Sequence, residues 1–232
     1  MALFGISDLH LSHRSNKPMD VFGPNWVGHT EKMARAWDAL VRPDDVVLVP
    51  GDISWALKLE EADLDLQWLG ARPGTKILCR GNHDYWWQAI GRVRAALPPS
   101  CKALQNDAVD LGAYVVCGTR LWAAPGQLDF TEDDRRIYER EIGRLKMSLE
   151  AGKKLAAGRP LVVSVHYPPF AANGSHTDFS RLICESGARL CVYGHLHGAR
   201  AHRSAVEGVR EGVEFHLIAC DKLDFVPKAL WP

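Results

Sequence analysis

Five polar clusters in this sequence each follow a short apolar run. The runs are rich in Val and Ile, a pattern typical of buried β-strands. The clusters begin at Asp8, Gly51, Gly81, His166 and Gly194. Ligands of open α/β sheets bind at the edge where the strands end, so five such clusters can line one cleft. The sequence therefore favours an α/β fold whose functional site lies at the carboxyl ends of its strands.

Hydrophobic periodicity predicts an alternation of strands and helices. Strands are predicted at Ala2–Ile6, Val46–Pro50, Lys76–Cys79, Tyr114–Cys117, Leu161–Val165, Leu190–Tyr193 and Phe215–Ala219. Helices are predicted at Glu31–Arg42, Leu59–Gly70, Trp86–Leu97 and Glu132–Ala157. This alternation indicates the α/β class, and the closely spaced strands of 101–118 and 206–220 predict β-hairpins. We expect one α/β domain over residues 1–232, with mixed sheets.

Composition argues against two classes of partner. The 28 basic and 28 acidic side chains give a formal net charge of zero, whereas a nucleic-acid binder has a basic excess. No apolar run approaches the ~18 residues of a membrane span. The six cysteines form no CxxC pair, and the chain opens with no basic leader segment. We therefore expect a cytoplasmic protein with reduced thiols that binds neither nucleic acid nor membrane. The sequence does not indicate its oligomeric state.

Seven side chains in the clusters are metal-ligand types. They are Asp8, His10, Asp52, Asn82, His166, His195 and His197. Oxygen and imidazole donors without a thiolate suit divalent Mn, Fe, Co, Ni or Zn. Seven ligands are too many for one catalytic ion that must keep an open position, but they suffice for two ions that share a carboxylate. The set predicts a dinuclear metal centre.

The clusters together resemble the signature of the calcineurin-like metallophosphoesterases, of a prokaryotic type. The matching motifs are Asp8-x-His10, Gly51-Asp52, Gly81-Asn82-His83-Asp84, His166 and Gly194-His195-Leu196-His197. The resemblance implies a four-layer αββα sandwich, in which two mixed sheets pack face to face between outer helices. It also implies one metal held by Asp8, His10, Asp52 and His197, and a second held by Asp52, Asn82, His166 and His195. His83 is then the catalytic histidine and Asp84 its orienting partner.

The function implied is a dinuclear-metal phosphohydrolase that cleaves small phosphate mono- or diesters. A hydroxide shared by the two ions would attack phosphorus in line, and His83 would protonate the leaving oxygen. Two alternatives stay open: a metal-dependent nuclease of the same fold, and a non-catalytic scaffold that has lost its metals.

Two further features adjoin the motifs. Arg120 follows a predicted strand and could bind substrate phosphate or form a surface salt bridge. Neighbouring residues on a helix do not share a face, so we expect Trp86 and Trp87 not to be buried together. One of them, with Trp55, is predicted to line the cleft.

Overall fold

The computed structural model describes residues 1–126 and 130–231. Within that part of the chain the strands are β1 (Leu3–Gly5), β2 (Val46–Pro50), β3 (Thr75–Cys79), β4 (Cys101–Ala103), β5 (Ala108–Asp110), β6 (Val115–Cys117), β7 (Leu161–Ser164), β8 (Leu190–Tyr193), β9 (Gly208–Arg210), β10 (Val213–Leu217) and β11 (Lys228–Trp231). The α-helices are α1 (His29–Leu40), α2 (Asp63–Gly70), α3 (Ile90–Ala96), α4 (Glu132–Ala156), α5 (Asp178–Glu185) and α6 (Gly198–Ser204). The chain divides into two compact units, Met1–Ala103 with Ile218–Pro232, and Leu104–Leu217. That residues 1–232 act as one domain stays a prediction.

The first unit contains a five-stranded sheet in the order β11-β1-β2-β3-β4. Strands β1 to β4 pair in parallel, and β11 pairs antiparallel to β1. All five residues of β2 are buried, as expected for a strand of a parallel sheet. Helix α1 contributes Met33 and Trp37 to the core of this unit, and the Trp37 indole donates a 3.0 Å hydrogen bond to the carbonyl of Pro73. The parallel register carries the loops after β1, β2 and β3 to the same edge of the sheet.

The second unit contains a six-stranded sheet in the order β5-β6-β7-β8-β10-β9. The inner pairs are parallel, and antiparallel hairpins β5/β6 and β9/β10 form the two edges. Helix α4 packs on β5 and β6, and it begins with a capping box between Thr131 and Asp134. Its buried face includes Tyr138, Leu145 and Leu149. In this sheet the loops after β6, β7 and β8 share one edge.

The predicted α/β class with two mixed sheets is confirmed. The strands predicted at Val46–Pro50 and Leu190–Tyr193 have the predicted bounds, and the hairpins appear as β5/β6 and β9/β10. Cys101–Ala103, however, pairs with β3 in the other sheet rather than within the hairpin. Among the described helices, none combines the length and apolarity needed to cross a membrane.

The helix predicted at Trp86–Leu97 was placed too early. The observed helix begins at Ile90, so Trp86 and Trp87 precede it in a turn. Both are buried, at 0% and 3% exposure, and their ring centroids lie 5.3 Å apart. The expectation that they could not be buried together is wrong because it assumed helical geometry.

Candidate metal centre

The loops after β1 and β2 hold three candidate ligands in a strained backbone conformation. Asp8, His10 and Asp52 have positive φ angles of 59°, 46° and 51°. Side-chain-bearing residues adopt this left-handed region at a cost, and such strain concentrates at functional sites. The N–H of Asp8 donates to the carbonyl of Gly51 at 3.0 Å, and the N–H of His10 donates to that of Asp52 at 2.9 Å. These bonds fix the two loops side by side.

The same loops bring two carboxylates and an imidazole together in a buried place. Asp8 offers ligand atoms within 4.8 Å of those of His10 and of Asp52. His10 Nε2 lies 3.9 Å from Asp52 Oδ2, and all three side chains are at most 3% exposed. Two buried carboxylates this close repel each other unless a cation neutralises them. The oxygen and nitrogen donors therefore fit a divalent metal ion.

A nearby thiol donates to the backbone of the loop after β1. Cys220 is buried, and its thiol donates to the carbonyl oxygen of Asp8 at 2.9 Å. Burial raises the pKa of Cys220 well above its ordinary value, so the sulfur stays protonated at neutral pH. This hydrogen bond gives the Cys220 sulfur a backbone partner beside Asp8, His10 and Asp52.

The loop after β3 approaches Asp52 so closely that only glycine fits. A Cβ built on Gly81 would lie 2.0 Å from Asp52 Oδ1 and 2.2 Å from the Asp52 backbone nitrogen. The N–H of His83 donates to Asp52 Oδ1 at 2.8 Å. Asn82 and His83 are half-buried. Asp52 thus positions the segment that carries both of them.

The carboxylate of Asp84 fastens this loop to the one after β2. Its Oδ1 accepts hydrogen bonds from the N–H groups of Ile53 at 2.9 Å and Ser54 at 3.1 Å, and from the indole of Trp86 at 2.9 Å. Its Oδ2 accepts the N–H of Gly81 at 2.7 Å. Asp84 is fully buried. The structure therefore gives Asp84 a structural role in addition to the one that the motif implies.

An aromatic residue packs against two histidines of the first unit, His10 and His83. The centroid of the Trp55 ring lies 5.0 Å from the centroid of the His10 ring, and the two rings are nearly parallel. The centroid of the His83 ring lies 4.4 Å from that of Trp55. Trp26 contacts His10 edge-on at 6.0 Å and is a neighbour that sequence reasoning missed. Trp55 is half-buried and packs on both histidines, so it can border a ligand, whereas Trp86 and Trp87 are buried.

Sequence reasoning also missed a polar group that supports these loops. Nδ1 of His13 lies 2.6 Å from Oδ1 of Asp65, and Ser54 Oγ donates to Oδ2 of the same carboxylate. Asp65 is buried in α2 and so anchors the segments that follow His10 and Asp52. No local spacing could reveal it, because its partners lie 52 and 11 residues away.

The second unit positions the remaining candidate ligands after β7 and β8. His166 is fully buried, and its carbonyl accepts the N–H of Gly194 at 3.1 Å. The rings of His166 and His195 are 5.2 Å apart and nearly perpendicular. His195 has a φ of 71°, and Tyr167 packs on its ring at 4.0 Å. His197 is half-buried and is the N-cap residue of α6.

A comparison with models of protein families shows to which family this chain belongs. A model of the calcineurin-like phosphoesterases matches residues 1–199. The chain belongs to that family. The family implies divalent metal ions, in agreement with the donors described above.

Curated relatives match this phosphoesterase-family chain over part of its length. The gene 66 protein of Mycobacterium phage L5 is 37% identical over 78 residues, which are 34% of this chain and 37% of the phage protein. The gene 66 protein of Mycobacterium phage D29 is 42% identical over 79 residues, 34% of this chain and 38% of that protein. The chain thus spans little more than a third of the length of these relatives.

Solved structures share the fold over nearly the whole chain. The phosphopantetheinyl hydrolase of Mycobacterium tuberculosis superposes with a TM-score of 0.55 at 18% identity, covering 94% of this chain and 88% of that one. A protein of unknown function from Aquifex aeolicus gives a TM-score of 0.52 at 15% identity, covering 97% and 94%. At these identities the likeness concerns the fold alone.

Proposed function

We propose that this family member hydrolyses small phosphate mono- or diesters with two divalent metal ions. Its ligands would be Asp8, His10, Asp52, Asn82, His166, His195 and His197. The observation that carries the proposal is the buried pairing of Asp8 and Asp52 beside His10, in loops whose backbone is strained and interlocked. Burying two carboxylates side by side lowers the stability of a fold, and a bound cation would offset that loss.

The division of ligands follows the family pattern. One ion would take Asp8, His10, Asp52 and His197. The other would take Asp52, Asn82, His166 and His195, with Asp52 shared. Mn, Fe, Co, Ni and Zn all suit these donors. When bound, two such ions would neutralise phosphoryl oxygens and acidify the attacking water.

His83 is proposed to donate a proton to the leaving oxygen. Its backbone is fixed by the hydrogen bond to Asp52, and its ring packs on Trp55. Both contacts position the imidazole without involving its two nitrogens. A positioned acid of this kind accelerates ester cleavage by about 10²–10⁴-fold.

The substrate is proposed to be a small ester rather than a polymer. The chain has a net charge of zero, whereas enzymes that act on nucleic acids attract the phosphate backbone with an excess of basic side chains. All six cysteines are free thiols, which supports a reducing compartment such as the cytoplasm.

The test is a hydrolysis assay on metal-stripped protein reloaded with each candidate ion. The panel contains aryl phosphate mono- and diesters, nucleotides, sugar phosphates and an oligonucleotide. We expect metal-dependent cleavage of a small ester, abolished in Asp52→Asn. Asp44→Asn, whose side chain is 72% exposed, is the matched control and should keep full activity. Absence of cleavage with every ion contradicts the proposal, and so does preferential cleavage of the oligonucleotide.

A further inference from the structure

The loops after β1 and β2 remain hydrogen-bonded to each other beyond the candidate ligands that they carry. The N–H of Leu11 donates to the carbonyl of Ile53 at 2.9 Å, and the N–H of Trp55 donates to the carbonyl of Leu11 at 2.9 Å. Leu11 and Ser54 thus form an isolated parallel bridge. The two loops therefore run side by side for several residues after their ligands.

One buried carboxylate joins the ends of these paired loops. Asp65 lies in the first turn of α2 and is 1% exposed. Its Oδ1 accepts the N–H of His13 at 3.0 Å and lies 2.6 Å from Nδ1 of the same residue. Its Oδ2 accepts a hydrogen bond from Ser54 Oγ. One oxygen of Asp65 therefore binds the loop after β1, and the other binds the loop after β2.

Ser54 is held by two carboxylates at once. Its N–H donates to Oδ1 of Asp84 at 3.1 Å, while its hydroxyl donates to Asp65. The N–H of Ala56 donates to the same hydroxyl at 3.1 Å. Ser54 is buried, so a lost bond would leave a polar group without water to replace its partner. The position of Ser54, two residues after Asp52, therefore depends on both carboxylates.

A second acidic residue of the same helical turn has a different environment. Asp63 pairs with Arg14, whose Nη2 lies 2.8 Å from Asp63 Oδ2. The two side chains are 37% and 51% exposed, and surface ion pairs of this kind contribute little to stability. Asp63 is therefore a matched control for Asp65, because it is the same residue type in the same turn of α2 but lies at the surface.

The candidate ligands themselves favour separation of the two loops. Asp8 lies in one loop and Asp52 in the other, and both side chains are buried with ligand atoms within 4.8 Å of each other. Two such charges repel each other unless a cation lies between them. The spacing of metal ligands has to match the preferred metal–oxygen distance to within about 0.2 Å. A bond that joins the loops opposes the repulsion and keeps that spacing.

We propose that Asp65 is a positioning residue that sets the metal affinity of the candidate centre. The inference rests on the proposed function, from which it takes the metal ligands of the first unit. Asp65 acts through His13 and Ser54, which follow His10 and Asp52 by three and two residues. Loss of groups that hold metal ligands in place weakens metal binding by about 10- to 100-fold. Because Asp65 acts through intervening residues, we expect the lower end of that range.

The test measures the affinity of the metal-stripped protein for Mn²⁺ and Co²⁺ by competition with a fluorescent chelator. In Asp65→Ala we expect Kd to rise by about 10-fold, and in Asp63→Ala we expect the wild-type Kd. Asp65→Asn keeps an amide oxygen for His13 and an NH₂ group for Ser54 Oγ, so it should recover most of the affinity.

The affinity separates positioning from a purely structural role. A wild-type Kd in Asp65→Ala, however far its thermal midpoint falls, would overturn the inference. An equal rise of Kd in Asp63→Ala would also overturn it, because Asp63 lies at the surface. No binding of either ion by the wild type would contradict both the inference and the proposed function.

A second measurement follows the paired loops without a metal. Amide hydrogen exchange of Leu11 and Trp55 reports the bonds between the loops, and the amides of β7 serve as reference. In metal-stripped Asp65→Ala, exchange at Leu11 and Trp55 should accelerate by at least about 10-fold, with β7 unchanged. Equal acceleration in β7 would indicate a general loss of stability and would overturn the inference.

Two milder variants keep the inference testable if Asp65→Ala does not fold. His13→Ala and Ser54→Ala each remove one side-chain link to Asp65, and each should raise the metal Kd by less than the full substitution. Wild-type Kd values in both variants would overturn the inference. Metal binding that depends on Asp65, combined with failure to hydrolyse every ester, would contradict only the proposed function.

Discussion

The backbone N–H of His83 donates a 2.8 Å hydrogen bond to Oδ1 of Asp52. The carboxylate proposed to bind both metals therefore also positions the residue proposed as the acid. An asparagine at position 52 can keep this bond through its amide oxygen while it removes the charge. Asp52→Asn is thus a substitution that weakens metal binding with the loop still anchored.

Replacement of His83 separates chemistry from metal binding. The bond to Asp52 comes from the backbone, so His83→Ala should keep the loop and the bound metal. We expect kcat to fall by about 10²–10⁴-fold for alkyl esters and by less for p-nitrophenyl esters, whose leaving group needs little protonation. Steady-state kinetics with both ester types, together with metal analysis, measure this. An equal loss for both types, or loss of metal, would show that His83 is not the acid.

Gly81→Ala should disrupt the candidate site. The added Cβ would collide with the Asp52 backbone, where nothing can move aside cheaply. We expect a lower thermal midpoint together with loss of metal binding. The matched control is Gly91→Ala in α3, where a Cβ meets nothing within 4 Å. That change should be neutral or stabilise by roughly 0.5–1 kcal/mol. Similar behaviour of the two variants in thermal melts and metal titrations would refute this account of Gly81.

Asp84→Asn should destabilise the first unit. An asparagine presents an NH₂ group to at least one of the four donors that now point at the carboxylate. Hydrogen bonds to charged groups contribute about 1.5–3 kcal/mol each, so we expect a loss of at least that size. Urea unfolding measures it, with the exposed Asp44→Asn as reference. A loss below roughly 0.5 kcal/mol, the usual limit for surface changes, would contradict the structural role.

The thiols should react slowly in the folded protein. Burial raises the pKa of Cys117 to about 12, and burial with the nearby Glu211 raises that of Cys184 to about 11. A raised pKa lowers the thiolate fraction; for Cys184 at pH 8 the reduction is roughly 100-fold relative to an ordinary thiol. Titration with Ellman's reagent at pH 8 should therefore show slow reaction natively and rapid reaction of all six thiols in denaturant. Rapid native reaction of several thiols would contradict these shifts.

Sequence patterns predicted the inner strands of both sheets and the position of the polar clusters because both follow from local rules, whereas the edge strand β11 was not predicted. A run such as Val46–Pro50 is apolar throughout, and parallel pairing carries the following Asp52 to the sheet edge. The prediction for Trp86 and Trp87 failed because the Asp84 carboxylate binds the Trp86 indole and the chain turns before α3 begins. Periodicity does not reveal a contact of that kind.

Long-range contacts explain the other features that the sequence did not predict. Cys101–Ala103 is three residues long, and its choice of β3 as partner depends on the whole sheet. Asp65 lies in α2, and its role depends on the fold, which places His13 and Ser54 next to its carboxylate. The positive φ angles at Asp8 and His10 arise from the hydrogen bonds between two loops, which no local spacing encodes.

The number of metal ions bound per chain distinguishes a dinuclear centre from a mononuclear or metal-free one. The protein is stripped with a chelator, reloaded separately with Mn, Fe, Co, Ni and Zn, desalted, and analysed by elemental mass spectrometry against chain concentration. We expect two ions per chain in the wild type with at least one of these metals, and fewer in Asp52→Asn. At most one ion per chain with every metal would contradict the dinuclear centre.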